Sequence, residues 1–295
     1  MKKVHFIVNP IAGKGDVALN EIFLAKYFDS AEYDLTVKMS NYAGHAQVLV
    51  KESLRDGAQM LVACGGDGTI NEVASCLVGT EVPLGIIPMG SGNGLAESLG
   101  IPRKVKEAID IIKQGKTSNI DAALVNGKPF FSNMGIGFDA KVISNYNKSG
   151  TRRFWAYLKA VFKSIKEFNT VESIKVELNG KTFRANPFMF FVSNSKIMGY
   201  DISLTRMASM EDGLLDVVII ENLNRGEMLL LGILVILRLN QYLKKVQYFK
   251  VSELKLAFDS KCGDRLMQAD GELHCVDDGE LVVTIQRKAV SVLTP

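Results

Sequence analysis

Little in this sequence points away from an ordinary globular chain, and what is scarce narrows the field first. The four cysteines, Cys64, Cys76, Cys262 and Cys275, form no CxxC pair, and the one histidine beside any of them, His274 next to Cys275, has no second pair at metal spacing, so neither a zinc site nor a disulfide framework is suggested and a reducing cytosol fits. Histidine is sparse too: His5, His45 and His274 stand far apart, with no second ligand at metal spacing. Charge of one sign is not in excess, because 35 basic and 32 acidic residues leave a formal +3 without a basic tract that could follow a nucleic-acid backbone. Nucleic acid is therefore not expected as a partner. Long apolar runs are missing. The most apolar segment, MLLLGILVILRL at 228–239, is about 12 residues where a bilayer span takes roughly 20. It reads either as a buried or half-buried core helix or as a helix docked on a membrane surface. The N-terminal MKKVHFIVNP is too short in apolar residues for a secretory segment and closes on Asn-Pro, so it reads as a first strand. No Pro- or Ser-rich linker, internal repeat or low-complexity tract interrupts the chain.

What is present is enough for two cores: 295 residues, 47% hydrophobic and 23% charged. Through residue 120, strands and helices alternate. VHFIVN, YDLTVKM, LVACG and VPLGIIP read as strands; ALNEIFLAKYF, AGHAQVLVKESLRDG, the segment from Thr69 and VKEAIDIIKQG read as helices. That alternation predicts a mostly parallel, three-layer α/β domain with its ligand crevice at the carboxyl ends of the strands. From about 121 onward the pattern becomes antiparallel. Asn126-Gly127 and Asn179-Gly180 sit between apolar or alternating runs as hairpin signals, and FMFFVSN, LLDVVII, ELKLAFD, LMQAD and ELVVTIQ supply further strands. Helical interruptions are expected at 152–168 and from Arg225. The organisation is thus a nucleotide-type α/β domain over 1–120 and a β-sandwich over 121–295, its closing residues able to return to the first domain, with a cleft between the two.

Four segments of the first domain end a strand and offer glycine or small polar residues: NPIAGKG, MSNYAG, GGDGTINE and MGSGNG. In a parallel sheet they share one edge and can together enclose a nucleotide triphosphate. Individually they are weak, since AGKG lacks the spacing of a Walker A loop and GSGNG fits GxGxxG poorly. A strand, a glycine turn and a helix start do make an anion site, through free N–H groups and the positive end of the helix dipole. Thr69 and Glu72 have the spacing of a capping box, which needs no ligand. Asp67 lacks so simple a reading, because a carboxylate within a phosphate loop repels phosphate unless a cation such as Mg²⁺ joins them.

In this order, NPIAGKG, GGDGTINEVA, PLGIIPMGSGNGLAESLGIP, MEDGLLDVVI and MQADGEL resemble the diacylglycerol-kinase catalytic-domain superfamily, specifically its soluble bacterial lipid kinases. The resemblance covers nearly the whole chain. It implies a nucleotide domain related to those of NAD kinases and phosphofructokinases, a C-terminal β-sandwich, and ATP with Mg²⁺ as phosphoryl donor. By motif, Asn9, Ser40, Gly66, Asp67, Gly68, Thr69, Ile70, Asn71, Glu72 and Ser91 would hold the nucleotide. Ser40 and Ser91 stand where Thr is usual. Gly94 replaces a usual Asp, so that GSGNGLA looks more like sphingosine and ceramide kinases.

On the acceptor side, Asp270-Gly271-Glu272 aligns with the family's catalytic triplet and makes Glu272 the expected general base, with Asp67 sharing that role in sphingosine-kinase-like members. Asp278-Gly279-Glu280 reads as the turn between HCV and LVVTIQ. Asp121 resembles an Asp that reaches the glycine-loop carboxylate through water. Asp212, with the carbonyls of Ser209 and Leu214, maps to a structural Mg²⁺ site. Trp155 and Phe154 lie on a helix with Arg152, Arg153, Lys159 and Lys163, either against anionic headgroups or as a solvated face. The expected activity is γ-phosphoryl transfer to a diacylglycerol or sphingoid base by a cytoplasmic enzyme peripheral to the membrane. The alternatives are an NAD kinase, which should lack the late Asp-Gly-Glu and SMEDGLLDV segments, and a catalytically silent lipid-binding protein.

Overall fold

The computed structural model describes residues 1–13, 19–150, 154–168, 173–198, 203–258, 265–276 and 279–295; Lys14, Gly15, Arg152, Arg153, Cys262 and Asp278 fall outside them. The chain divides into two units, Met1–Ala122 with Arg287–Pro295, and Ala123–Gln286.

The first unit follows the alternation: β1 (Lys2–Val8), α1 (Glu21–Leu24), β2 (Tyr33–Met39), α2 (His45–Arg55), β3 (Met60–Gly65), α3 (Asp67–Leu77), β4 (Leu84–Pro88), α4 (Gly94–Ser98), α5 (Val105–Gln114) and the start of β5 (Thr117–Val125). Strands pair in the order β2-β1-β3-β4, all parallel. β3 and β4 are buried along their whole length, which is why they read as continuous apolar runs rather than alternating ones. Helix α1 is much shorter than the ALNEIFLAKYF periodicity suggests: Asn20 caps it by accepting the Phe23 N–H, and it closes after one turn. α5 ends as expected, with Gly115 in the left-handed conformation at φ 70°.

The second unit contains β6 (Lys128–Phe130), β7 (Asn133–Gly137), α6 (Phe138–Asn147), α7 (Phe154–Glu167), β8 (Ile174–Leu178), β9 (Lys181–Ala185), β10 (Pro187–Ser193), β11 (Leu215–Glu221), α8 (Arg225–Ile236), β12 (Val246–Val251), β13 (Glu253–Phe258), β14 (Leu266–Ala269), β15 (Glu272–Cys275) and β16 (Glu280–Leu293). One antiparallel sheet runs β12-β11-β10-β7-β14-β15, and a second contains β16-β13-β8-β9. Both Asn-Gly hairpins form, with Asn126 and Asn179 at φ 46° and 49° and Gly127 and Gly180 also positive.

Side-chain alternation on the central strands feeds two cores. Phe190, Val192, Val217 and Ile219 enter the sandwich interior with Val176, Leu256 and Val283. Met189, Phe191, Val218 and Ile220 face the other way, under Met228 and Leu231 of α8. Asn224 starts α8 with a complete capping box to Glu227. The segment at 228–239 therefore forms the half-buried core helix expected, one side of α8 in the core and the other exposed. Helix α6, β7 and β12 are additions to the sequence reading.

Candidate functional site

In the order β2-β1-β3-β4 the chain leaves β1 toward one edge of the sheet and β3 toward the other, and the ends of these two neighbouring strands form a topological switch point. The loops gathered there are tied together by named contacts. Asn9, following β1, donates its N–H to the Cys64 carbonyl at 2.9 Å and its side-chain Nδ2 to Thr69 Oγ1 at 3.2 Å. Ser40, following β2, is buried and donates its N–H to the Val8 carbonyl at 2.8 Å. The β3 and β4 loops meet backbone to backbone: Met89 N–H donates to the Gly65 carbonyl at 2.7 Å, and a Cβ on Gly90 would lie 2.6 Å from Gly66 Cα. Only glycine permits that approach.

Two expectations change here. Thr69 and Glu72 do not form a capping box, because α3 already starts at Asp67 and places Thr69 inside its first turn. Glu72 instead accepts the Gly44 N–H at 2.8 Å and the Ala46 N–H at 3.1 Å, serving the start of α2, whose own N-cap Gly44 has no side chain to offer. Asp67 also has a protein partner for its charge. Its carboxylate accepts the Gly94 N–H at 2.6 Å and the Asn93 N–H at 2.8 Å, the amides that open α4. Those amides place positive potential beside the carboxylate, as a cation would.

Asn93 was not singled out by sequence. Buried and left-handed at φ 57°, it binds both Gly90 N–H (2.8 Å) and Gly90 carbonyl (2.7 Å), so it shapes the MGSGNG turn. Ser91 is exposed on that turn, Ile70 is fully buried and offers only its backbone, and Asn71 accepts from Ser75 Oγ at 3.0 Å. The N-cap of α3 is Gly66, with no side chain capping it. The first-turn N–H groups around Gly68, at the positive end of an eleven-residue helix, fit a phosphate chain. Asp121 is buried in β5 and accepts the Lys288 N–H at 2.7 Å, which commits one of its oxygens to β16.

In the second unit the organising residue is Asp270. Its carboxylate accepts three consecutive N–H groups, from Phe131 (2.8 Å), Ser132 (2.7 Å) and Asn133 (3.1 Å), and its own N–H donates to the Asn133 carbonyl at 2.8 Å. Asp270 and Gly271, at φ 47° and 81°, make the tight turn joining β14 to β15, and Glu272 stands exposed directly after it. The first Asp-Gly-Glu is thus a hairpin turn. The second Asp-Gly-Glu lies between β15, which pairs β14, and β16, which pairs β13, and the Asp278 of the turn expected there is outside the described residues.

Behind this turn lies a polar cluster without any local signal in the sequence. Gln268 Nε2 donates to Asn133 Oδ1 at 2.8 Å and to Asp139 Oδ2 at 2.6 Å, while its Oε1 accepts the Gly271 N–H at 2.9 Å. Burial pushes the Asp139 carboxyl up to about 6, opposed by the Gln268 hydrogen bond. Because the folded value exceeds the unfolded one near 3.8, the associated stability is present in full below pH 4 and is lost as pH rises through 6. Asp139→Asn is expected to be more stable than the parent at pH 8, by about 3 kcal/mol at most, with no gain at pH 4. Urea denaturation at both values checks this.

The Asp212 loop does not fit a resident Mg²⁺ as it stands. Asp212 Oδ2 is paired with the Lys250 ammonium at 2.8 Å, Oδ1 accepts the Leu214 N–H at 3.0 Å, and Ser209 Oγ accepts the Glu211 N–H at 3.3 Å. Lys250 also reaches Asp216 at 3.4 Å and the Met207 carbonyl at 3.4 Å, so a protein cation already neutralises the loop. Among the described residues no group of three His, Cys, Asp or Glu side chains could hold a metal ion. No described helix is long and apolar enough to cross a membrane.

Comparison with known proteins agrees with this arrangement. Residues 3–125 match the diacylglycerol kinase catalytic domain, and residues 132–294 match the YegS C-terminal NAD kinase beta sandwich-like domain. A diacylglycerol kinase of Bacillus subtilis is 27% identical over 288 residues, covering 96% of this chain and 93% of that one. An uncharacterised protein of Synechocystis is 30% identical over 231 residues, 74% of this chain, which spans about half (53%) of that protein's length. A crystal structure of a diacylglycerol kinase from Bacillus anthracis superposes with a TM-score of 0.73 at 19% identity, covering 100% of this chain and 97% of that one, a likeness of fold. With its catalytic-domain match followed by a YegS-type β-sandwich match over more than half its length, the chain belongs to the diacylglycerol-kinase-like family of bacterial lipid kinases.

Proposed function

We propose that this protein transfers the γ-phosphoryl group of ATP, taken as its Mg²⁺ complex, to the primary hydroxyl of a membrane lipid, a diacylglycerol or a sphingoid base. The observation that carries the reading is the uncapped start of α3, enclosed by the Asn9, Ser40, Gly66 and Gly90 loops, in a chain of lipid-kinase family. The phosphates sit on the N–H groups of Gly66 to Thr69, within reach of the Asn9, Ser40 and Ser91 polar groups. Ile70 and Asn71 continue that helical turn, and Glu72 positions the loop before α2. Asp67 holds the Asn93-Gly94 turn in place.

The lipid oxygen attacks the γ-phosphorus, the bond from that phosphorus to the β-phosphate oxygen breaks, and Glu272 takes the hydroxyl proton. Such transfer depends on positioning and charge neutralisation more than on covalent chemistry, and a metal bound with the nucleotide would supply part of that neutralisation. Asp139 acts through Gln268 on the turn that carries Glu272, as a positioning residue. Relatives named diacylglycerol kinase make diacylglycerol the first acceptor to test.

The test supplies labelled Mg²⁺-ATP with diacylglycerol, sphingosine, ceramide or NAD, the lipids in mixed micelles. A labelled lipid is expected. Label in NAD alone, or in no lane, overturns the proposal.

A further inference from the structure

We infer that the outer side of α8 is the surface on which this protein docks to an anionic lipid bilayer. Leu229, Leu230, Ile233, Ile236 and Leu237 are 45% to 73% exposed. Their spacing places them on one side of a helix with 3.6 residues per turn. Met228 and Leu231 on the other side are buried in the core beneath the helix, so α8 is anchored and its exposed strip is held firm. An apolar helix face of this extent is normally covered.

The strip cannot be a span. The helix has 12 residues and a length of roughly 18 Å, against a hydrocarbon core of about 30 Å. It can lie in the interface, apolar side down.

Charge selects the occupant. Arg225 stands exposed at the start of α8, where Lys244, next to the Lys245 that bonds Glu227, is also exposed, and Arg238 stands exposed just beyond the other end. Arg206 joins Arg238, its guanidinium donating to the Arg238 carbonyl at 3.3 Å, and brings the 81%-exposed Met207 to that end. Glu227, the acidic residue within the helix, is held by Lys245 at 2.8 Å and presents little net charge. A second copy of the chain laid along the strip in either direction would set arginine against arginine at both ends. Anionic headgroups complement both ends at once.

The choice of a bilayer rests on the membrane-lipid acceptor proposed above, but the docking experiment needs no turnover. Purified protein is sedimented with vesicles of phosphatidylcholine, with and without phosphatidylglycerol, and compared with the double variant Leu230→Glu/Ile233→Glu and with Arg225→Glu/Lys244→Glu. Both pairs are exposed, and thermal melting checks that folding is kept. The parent is expected to bind phosphatidylglycerol vesicles, with affinity reduced on the order of a hundredfold in either variant. Analytical ultracentrifugation is run alongside. Failure of the parent to bind, equal binding by the variants, or a parent dimer that the leucine/isoleucine variant dissociates would each overturn the inference. Vesicle binding without lipid phosphorylation would leave the docking surface standing and reject the proposed activity; phosphorylation of lipid without α8-dependent binding would do the reverse.

Discussion

Glu272→Gln is expected to lower kcat by roughly 10² to 10⁴-fold, the range a positioned proton acceptor contributes. Glu280→Gln is expected to leave turnover within about twofold, as surface substitutions away from a site do. Both residues follow an Asp-Gly pair, so the comparison holds local sequence nearly constant. Their settings differ: Glu272 stands exposed after a turn pinned through Asp270, whereas Glu280 opens β16 opposite Ala257 in the other sheet. Because Glu272 has no buried contacts to lose, its substitution should leave the melting temperature unchanged, which separates lost chemistry from lost folding. Steady-state kinetics with short-chain diacylglycerol supplies kcat and KM separately. Equal activity of the two variants would remove Glu272 from the mechanism.

Asp270→Ala is expected to destabilise the second unit by about 3 to 5 kcal/mol, enough to unfold a marginal domain. The substitution strips the acceptor from three consecutive backbone N–H groups, those of Phe131, Ser132 and Asn133. It also puts alanine at a left-handed position where aspartate and asparagine are tolerated. Asp270→Asn should fall between, keeping the backbone conformation and part of the acceptor capacity. Urea denaturation measures the difference. A loss below about 1 kcal/mol for the alanine variant, the net value of a single ordinary hydrogen bond, would mean that the turn is held by other means.

These two carboxylates show how far sequence reasoning reaches. The parallel half was legible because buried strands announce themselves as apolar runs and glycines close the helices, as at Gly115. The β-sandwich was legible through its Asn-Gly turns. The helix Phe138–Asn147 was missed because it starts abruptly after β7 at Gly137, φ 80°, and has weak amphipathic periodicity. The strand Val246–Val251 was missed because its side chains do not alternate cleanly between buried and exposed.

Within the site, the glycine loops could be located but their partners could not. The spacing of Thr69 and Glu72 suggested a reciprocal pair, yet Glu72 finds the amide of Gly44, 28 positions away, an acceptor–donor match that only the folded sheet creates. Asp139 and Gln268 are 129 positions apart and meet across α6 and β14, and neither carries a local mark of that meeting. The same limit applies to Asp67, whose charge is answered by amides of a different loop.

The route of β16 constrains how this protein can be made. Val292 pairs with Leu84, Gly79 N–H donates to the Ala289 carbonyl, and Thr294 N–H donates to the Lys116 carbonyl, so residues near the end of the chain complete the unit that begins it. On the ribosome, where leading domains ordinarily fold first, the edge of β4 must wait with its hydrogen-bonding groups unmatched until all of the second unit has been translated. During that interval the nascent chain offers an open strand edge to any chaperone, or to a neighbouring chain.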